Sequence, residues 1–438
     1  MNIFSRVKNT YHTYFDNPGR DSFIENSKLF ALEGILATII TQLGNSNVNL
    51  YATRLGATDF QISMIASLPS LAGIFILIPG ALLVDRVRNK RSAVMLSAFL
   101  FGLVYFLVGM VPLSGAYSVI LLLVMLPIAN IPLTIYTSSW QAYFSDVVPP
   151  EKRNSAYTLR TMFTFIIGIV IPLISGQLLS NAAGGQKILI HQIFFYICFI
   201  LAMGQVVVLR RIEGGDVAAK KSISMADMKA AMQNIFKNRV FIGFLGVILI
   251  FYIGWHMDWS LFFIAQIRYL GVNEAWLSYV NVANAVAQFL SVGLWSRLNE
   301  KKGVRFTIII GGLGYVLAAV VMLISLRLPV DDGRMFLMIA YGFSGIPIGA
   351  FQLTVLQCLL ESVPEGNKTL NISVYNTLIM VSNCIMPAAG VKIYTVLGAD
   401  KNSMIITVIL VISIRILAVA GLFIRWFLMR GKKAATGR

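Results

Sequence analysis

Charged residues are scarce in this chain. Only 13% of its 438 residues are Asp, Glu, Lys or Arg, roughly half the share found in soluble domains, which excludes a water-soluble globular protein. Histidine and cysteine are scarcer still, with three of each. His12, His191 and His256 supply no pair one helical turn apart, and no glycine-rich phosphate loop ending in Lys-Ser or Lys-Thr occurs. A membrane metalloenzyme and an ATP-driven pump are therefore excluded, and neither metal nor cofactor is expected. Cys198, Cys358 and Cys384 lie in apolar segments, where they form no disulfide framework and no ligand set and act as packing residues. Acids are the scarcer sign, 19 against 36 bases, for a net charge of +17. Such a balance can mark a nucleic-acid binder, but here the bases sit in short loops between apolar runs, so the implied partner is a lipid bilayer and not nucleic acid.

What is abundant is apolar sequence: 57% of the residues are hydrophobic and the mean hydropathy is +0.76. A bilayer-crossing helix needs about 20 mainly apolar residues, because in lipid the backbone must satisfy its own hydrogen bonds. Twelve such spans are expected, at 29–51, 60–83, 92–111, 117–143, 155–179, 188–209, 240–267, 275–298, 304–326, 335–360, 369–391 and 404–427. Residues 1–28 hold Arg6, Lys8, Asp16, Arg20, Asp21 and Glu25 without an apolar core, unlike a cleaved leader. Phe4, Val7, Tyr11 and Tyr14 at helical spacing there fit an amphipathic helix on the membrane surface. The N-terminal segment, the loops after even-numbered spans and the basic tail 430–438, with Arg297, Arg305 and Arg425 at the adjoining span ends, together hold 27 of the 36 Lys and Arg, against seven in the opposite loops. Both termini are accordingly expected in the cytoplasm of a multi-pass cell-membrane protein, which we expect to be a monomer.

Residues 210–239 are a polar interruption with Gly214-Gly215, read as a cytoplasmic linker between halves at 29–209 and 240–429. A single offset of 215 positions relates the halves. It pairs Asp85 with Glu300, Pro132 with Pro347, Pro149 with Pro364, Arg153 with Lys368 and Pro172 with Pro387. Matches of proline and charge carry weight in so biased a composition; matches of apolar residues do not. Parallel repeats of six helices are an architecture of secondary transporters, with substrate near the midplane between the halves.

The loop after span 2, Ala81-Leu-Leu-Val-Asp85-Arg86-Val-Arg88-Asn89-Lys90-Arg91, recurs as Ser296-Arg-Leu-Asn-Glu300-Lys301-Lys-Gly303-Val-Arg305. The loops after spans 4 and 10 carry an acid, a proline and a base: Asp146, Pro149 and Arg153, then Glu361, Pro364 and Lys368. In these four loops, and over residues 29–427, the chain resembles the major facilitator superfamily. The first loop keeps the family's Asp85, Arg86 and Lys90 but has Ala81, Arg88 and Asn89 where the family prefers Gly, Gly and Arg. The resemblance implies an all-α membrane protein of two pseudo-symmetric six-helix bundles working by alternating access, with spans 1, 4, 7 and 10 lining a cavity. It also implies a cytoplasmic gate, for which the candidates are Asp85, Arg86, Lys90, Asp146, Arg153, Glu300, Lys301, Arg305, Glu361 and Lys368.

Polar side chains inside the spans form stripes at three- or four-residue spacing. Span 1 has Thr38, Gln42, Asn45 and Asn49, span 4 Asn130, Thr134, Thr137 and Gln141, span 8 Asn281, Asn284 and Gln288, and span 11 Asn376 and Asn383. Each stripe either faces a polar cavity or bonds a neighbouring helix. Span 7 concentrates Tyr252, Trp255, His256, Asp258 and Trp259. An acid at mid-membrane costs about 2.5–3.5 kcal/mol on the insertion scale, so Asp258 needs water or a partner: it is a proton-coupling candidate or a hydrogen-bonded structural acid. The tryptophans either stack on a substrate or anchor at the interface. Glu33 in span 1 is a second coupling candidate, with a salt-bridged structural acid as the alternative; Arg160 and Arg415 lie inside spans without a readable partner. The function expected is a secondary active transporter of a small organic solute, with a proton as coupling ion and with export of an amphipathic or aromatic compound preferred. The alternatives are uptake of a neutral sugar or nucleoside, and a non-transporting receptor of the same fold.

Overall fold

The computed structural model describes residues 22–86, 89–214, 238–362 and 368–435, except for the side chains of 77–86, 154, 368–371, 373 and 430–435. The expected surface helix at 1–28 lies outside them up to position 21, and the linker lies outside them over 215–237. The described chain contains twelve long helices and no strand. They are α1 (Ser22–Leu43), α2 (Asp59–Arg86), α3 (Lys90–Met110), α4 (Ser118–Val147), α5 (Arg153–Asn181), α6 (Gly184–Arg211), α7 (Arg239–Ile264), α8 (Glu274–Lys302), α9 (Val304–Arg327), α10 (Val330–Ser362), α11 (Lys368–Val396) and α12 (Lys401–Ala435). Each expected span coincides in the main with one of these helices, the first excepted. Among the described residues, ten stretches are long and apolar enough to cross a membrane; one of them, 90–147, holds both α3 and α4, while α1, with Lys28, Glu33 and Gln42, is less apolar.

The first span is broken. After Leu43 the chain makes a 3-10 turn over Asn45–Asn47 and resumes as a short helix, Val48–Arg54. Gly44 lies on the ring of Tyr105, and a Cβ there would sit 2.4 Å from Tyr105 Cε2. Asn47 Nδ2 donates to the carbonyls of Gln42 and Leu43 at 2.8 and 3.2 Å, satisfying acceptors that the interrupted helix leaves open. Asn45 accepts from the Tyr105 hydroxyl, which ties the break to α3.

The helices form two compact units, one from the described residues of Met1–Ala57 and Ala72–Ser222, the other from those of Thr58–Leu71 and Ile223–Arg438. In the first, α1 packs on α5 and α6, and α3 packs on α4 and α6. In the second, α7 packs on α11 and α12, and α9 packs on α10 and α12. The same four pairings thus occur twice, as a repeat at 215 positions requires. The second unit adds α8 against α10. Thr58–Leu71, the first half of α2, groups with this unit: Arg268 holds Asp59 through two hydrogen bonds at 2.7 and 2.9 Å, and Asn383 Nδ2 donates to Ser70 Oγ at 2.8 Å.

Glycine makes α10 the hub of the second unit. A Cβ on Gly311 of α9 would lie 2.3 Å from the backbone nitrogen of Phe351, and one on Gly345 would lie 2.3 Å from the carbonyl oxygen of Asn284 in α8. Backbones this close gain dispersion contacts that larger residues forbid, which is the usual means of helix association where lipid removes the hydrophobic drive.

Candidate functional site

Two acid–arginine constellations occupy the bundle interiors, one in each unit. In the first, Glu33 on α1 is fully buried. Its Oε1 accepts from the Tyr136 hydroxyl and from Gln205 Nε2 at 3.1 Å; its Oε2 accepts from Trp140 Nε1 at 2.9 Å and from Arg160 Nη2 and Nε at 3.3 and 3.4 Å. Four helices, α1, α4, α5 and α6, thus converge on one carboxylate. Glycine at the next position leaves room for this approach, because a Cβ on Gly34 would lie 2.7 Å from Arg160 Cγ and displace it. The Arg160 guanidinium carbon sits 4.3 Å over the Trp140 ring, a cation–π contact that holds it flat.

Unlike its partner, Arg160 retains 18% side-chain exposure. It reaches a cavity of about 300 Å³ in this unit, lined also by Tyr136, Thr137, Gln141, Tyr157 and Gln205 with Ile40 and Phe101. Arg160 is the one charged residue in that lining. The cavity therefore offers aromatic faces, amides, hydroxyls and a single guanidinium whose charge Glu33 balances from behind.

In the second unit Asp258 on α7 is paired with Arg415 on α12. Arg415 also donates to the Tyr315 carbonyl on α9 at 2.5 Å, and its Nε is buried without a partner. Residue exposure is 4% for Asp258 and 1% for Arg415, so this pair is sealed among three helices. Around it run ring contacts: Tyr252 bonds Tyr375 hydroxyl to hydroxyl at 3.1 Å, His256 Nδ1 lies 3.1 Å from Ser382 Oγ, and Trp255 stacks on His256. Trp259, 41% exposed, meets Trp255 edge-on.

The other residues singled out in the sequence divide by location. Asn284 is buried and donates to the Tyr341 carbonyl of α10 at 2.7 Å, while Gln288 Nε2 donates to Asn284 at 2.7 Å. The α8 stripe therefore ties α8 to α10, and only Asn281 of the three is exposed. Gln42 accepts from Ser46 at 3.0 Å, and Thr134 bonds the Asn130 carbonyl within α4. None of Gln42, Asn45, Asn130 and Thr134 lines the cavity beside Arg160, which Thr137 and Gln141 of the α4 stripe do.

At the loops, Lys90 holds Asp146 at 2.5 Å and Arg305 lies 3.2 Å from Glu361. Lys90 and Arg305 are 215 positions apart, and so are Asp146 and Glu361, so the repeat reaches individual ion pairs. Arg153 donates to the carbonyls of Ser145 and Val148 at 2.6 and 3.0 Å, closing the C-terminus of α4 where cations and donors are favoured. Glu300 and Lys301 are exposed; the side chains of Asp85, Arg86 and Lys368 lie outside the described residues.

Sequence reasoning missed Tyr136, Trp140 and Gln205 as donors to Glu33, and Tyr315 as an acceptor for Arg415. Comparison with known proteins bears on the whole arrangement. The family model described as Major Facilitator Superfamily matches residues 31–387 and 256–437. Among solved structures, a mutant form of the nucleoside transporter NupG superposes with a TM-score of 0.72 at 10% identity, covering 91% of this chain and 99% of that one. A bacterial homologue of the iron transporter ferroportin in the inward-facing state gives 0.71 at 13%, covering 92% and 99%. A bacterial homologue of the human lysosomal transporter Spinster, inward-facing and occupied, gives 0.65 at 15%, covering 93% and 97%. No curated protein matches by sequence.

Proposed function

Because the chain belongs to the major facilitator superfamily, whose fold it shares with the transporters above, we propose that it is a secondary active transporter that moves a small, largely neutral organic solute with aromatic character by alternating access, coupled to protons. The observation that carries this reading is the Glu33–Arg160 pair on the wall of the α1/α4/α5/α6 cavity. Protonation of Glu33 removes the charge that holds Arg160, so the guanidinium is free to bond solute in one protonation state and is retained by Glu33 in the other. That is the differential contact a coupled two-state cycle needs. Asp258 is assigned the structural half of its two sequence-derived roles, since its partner Arg415 is sealed from any described cavity.

Export is the preferred direction, supported by the Tyr136, Trp140 and Tyr157 faces, which suit an amphipathic ring system. Uptake of a neutral polar solute such as a nucleoside or sugar is the second reading, favoured by Gln141 and Gln205. The setting is the cell membrane with both termini in the cytoplasm, as a monomer. The loop ion pairs Lys90–Asp146 and Arg305–Glu361, each within one unit, brace the loops that carry the cytoplasmic gate.

The test is solute counterflow in proteoliposomes, with and without a pH gradient. We expect a gradient to drive transport by the wild-type protein, and Glu33→Gln to retain counterflow while losing the response to the gradient. A Glu33→Gln protein that still concentrates solute against a pH gradient ends the coupling assignment; ligand binding without any counterflow supports the receptor alternative.

A further inference from the structure

A second cavity, of about 500 Å³, lies in the second unit where the loop between α8 and α9 meets the last turns of α12. Lys301, Lys302 and Arg305 line it, with Glu361 as the one acid and Phe306 and Trp426 as an aromatic wall. Arg305 leans toward Glu361, but its Nε makes no well-aligned hydrogen bond although Oε2 is 3.2 Å away. The lining carries three cations against one anion. Lys302 Nζ lies 4.9 Å from the centre of the Phe306 ring, which is 5.6 Å from Trp426.

The aromatic wall departs from the internal repeat. The positions 215 residues earlier than Phe306 and Trp426 are Arg91 and Arg211. In the first unit Arg91 Nη1 donates to the carbonyl of Ile212 at 2.9 Å, so α3 is bonded to the end of α6. In the second unit, rings replace both arginines and the same corner is an open, basic, half-aromatic pocket. Just beyond it the face of α12 is apolar and exposed: Phe423 is 51%, Phe427 65% and Leu428 63% accessible.

We propose that this pocket binds the phosphodiester headgroup of an anionic phospholipid. Lys301, Lys302 and Arg305 hold the phosphate, and Trp426 and Phe306 take the glycerol and first methylenes. The acyl chains lie along the exposed face of α12. Basic residues beside the end of a membrane helix attract anionic lipid, and Trp is favoured at the headgroup level. A soluble phosphate would use the cations but has no use for the rings or the apolar face continuing from them, which is why the lipid is the assigned occupant.

The experiment is thermal unfolding of the purified full-length protein in neutral detergent, with short-chain phosphatidylglycerol, short-chain phosphatidylcholine or inorganic phosphate added. Binding to the folded state raises the melting temperature with occupancy. Phosphatidylglycerol is expected to raise it more than phosphatidylcholine. That excess should be mostly lost in Lys301→Gln/Lys302→Gln and kept in Lys392→Gln/Lys401→Gln, which removes the same charge elsewhere in the chain. Equal shifts from both lipids, an excess that survives Lys301→Gln/Lys302→Gln, or equal loss in the control variant each overturn the site. A shift reproduced by inorganic phosphate alone overturns the lipid as occupant.

Discussion

Removing one member of the Asp258–Arg415 pair should damage the protein far more than removing both. Asp258→Ala leaves a guanidinium, 1% exposed, with the Tyr315 carbonyl at 2.5 Å as its remaining hydrogen-bond acceptor and a Nε that has no partner even now. An uncompensated buried charge costs about 3–5 kcal/mol, whereas exchanging a whole buried pair for apolar residues of similar volume is neutral or stabilising by about 1–4 kcal/mol. The Tyr315 carbonyl lies inside α9 and keeps its helical hydrogen bond when Arg415 is gone. Thermal unfolding in detergent, followed by tryptophan fluorescence, should therefore show Asp258→Ala and Arg415→Ala melting well below wild type, and Asp258→Leu/Arg415→Met melting at or above it. Counterflow by the double variant should persist, since the pair lines no described cavity. Single variants that melt with wild type would refute the energetic argument, and a stable double variant that has lost counterflow would return Asp258 to the transport cycle.

Four shorter predictions accompany it. Gly345→Val should lower the yield and melting temperature of folded protein by forcing α8 and α10 apart, since its Cβ would meet the Asn284 carbonyl at 2.3 Å; overpacking of this kind costs about 1–3 kcal/mol. Arg160→Lys should raise the solute concentration needed for half-maximal counterflow, because a lysine cannot reproduce the flat contact on Trp140 or the two bonds to Glu33; unchanged affinity would remove Arg160 from the solute site. Asp146→Asn removes the charge partner of a Lys90 side chain only 15% exposed and should lower the melting temperature, by less than a change in the sealed Asp258–Arg415 pair because residual water screens the charge; loss of counterflow in protein that remains folded would report gating and not unfolding. Asp400 precedes α12 and accepts from the backbone N–H and hydroxyl of Ser403 at 2.7 and 2.5 Å, which holds its carboxyl below the usual range. Its folded value is depressed, so its contribution is complete above the unfolded carboxylate range and is lost as pH falls through the folded value; Asp400→Ala should flatten the acid side of the stability profile.

The helices and their duplication were legible because both rest on local signals: apolar length, and proline and charge repeated at one interval. The partner of each buried charge was not legible. Glu33 and Arg160 lie 127 positions apart and Asp258 and Arg415 157, and only the packing of their helices decides which charge relieves the desolvation of which. The polar stripes were not decidable either. Asn284 and Gln288 repeat at four-residue spacing whether they face a cavity or, as here, the α10 backbone, because a helix presents the same side chains to water and to a neighbour's carbonyl. The break in the first span left a readable trace in Gly44-Asn45-Ser46-Asn47, but its cause, the Tyr105 ring pressed on Gly44, lies 61 positions away and has no local signature.

Where the repeat holds and where it fails separates structure from function. At the loops it holds to the single ion pair, Lys90–Asp146 and Arg305–Glu361, as expected if both bundles need the same clasp between the third and fourth helices of each half. In the bundle interiors it fails. The first unit draws its arginine from α5 and the second from α12, helices that do not correspond under the repeat. Arg160 keeps 18% side-chain exposure beside a cavity, and Arg415 keeps 1%. Exposure weakens the Coulomb attraction of a pair but spares its desolvation, so what distinguishes Arg160 is the cavity it reaches and not its exposure alone. On that ground we propose that the solute-responsive charge of this chain lies in the first bundle, with the second bundle holding its own charge pair closed.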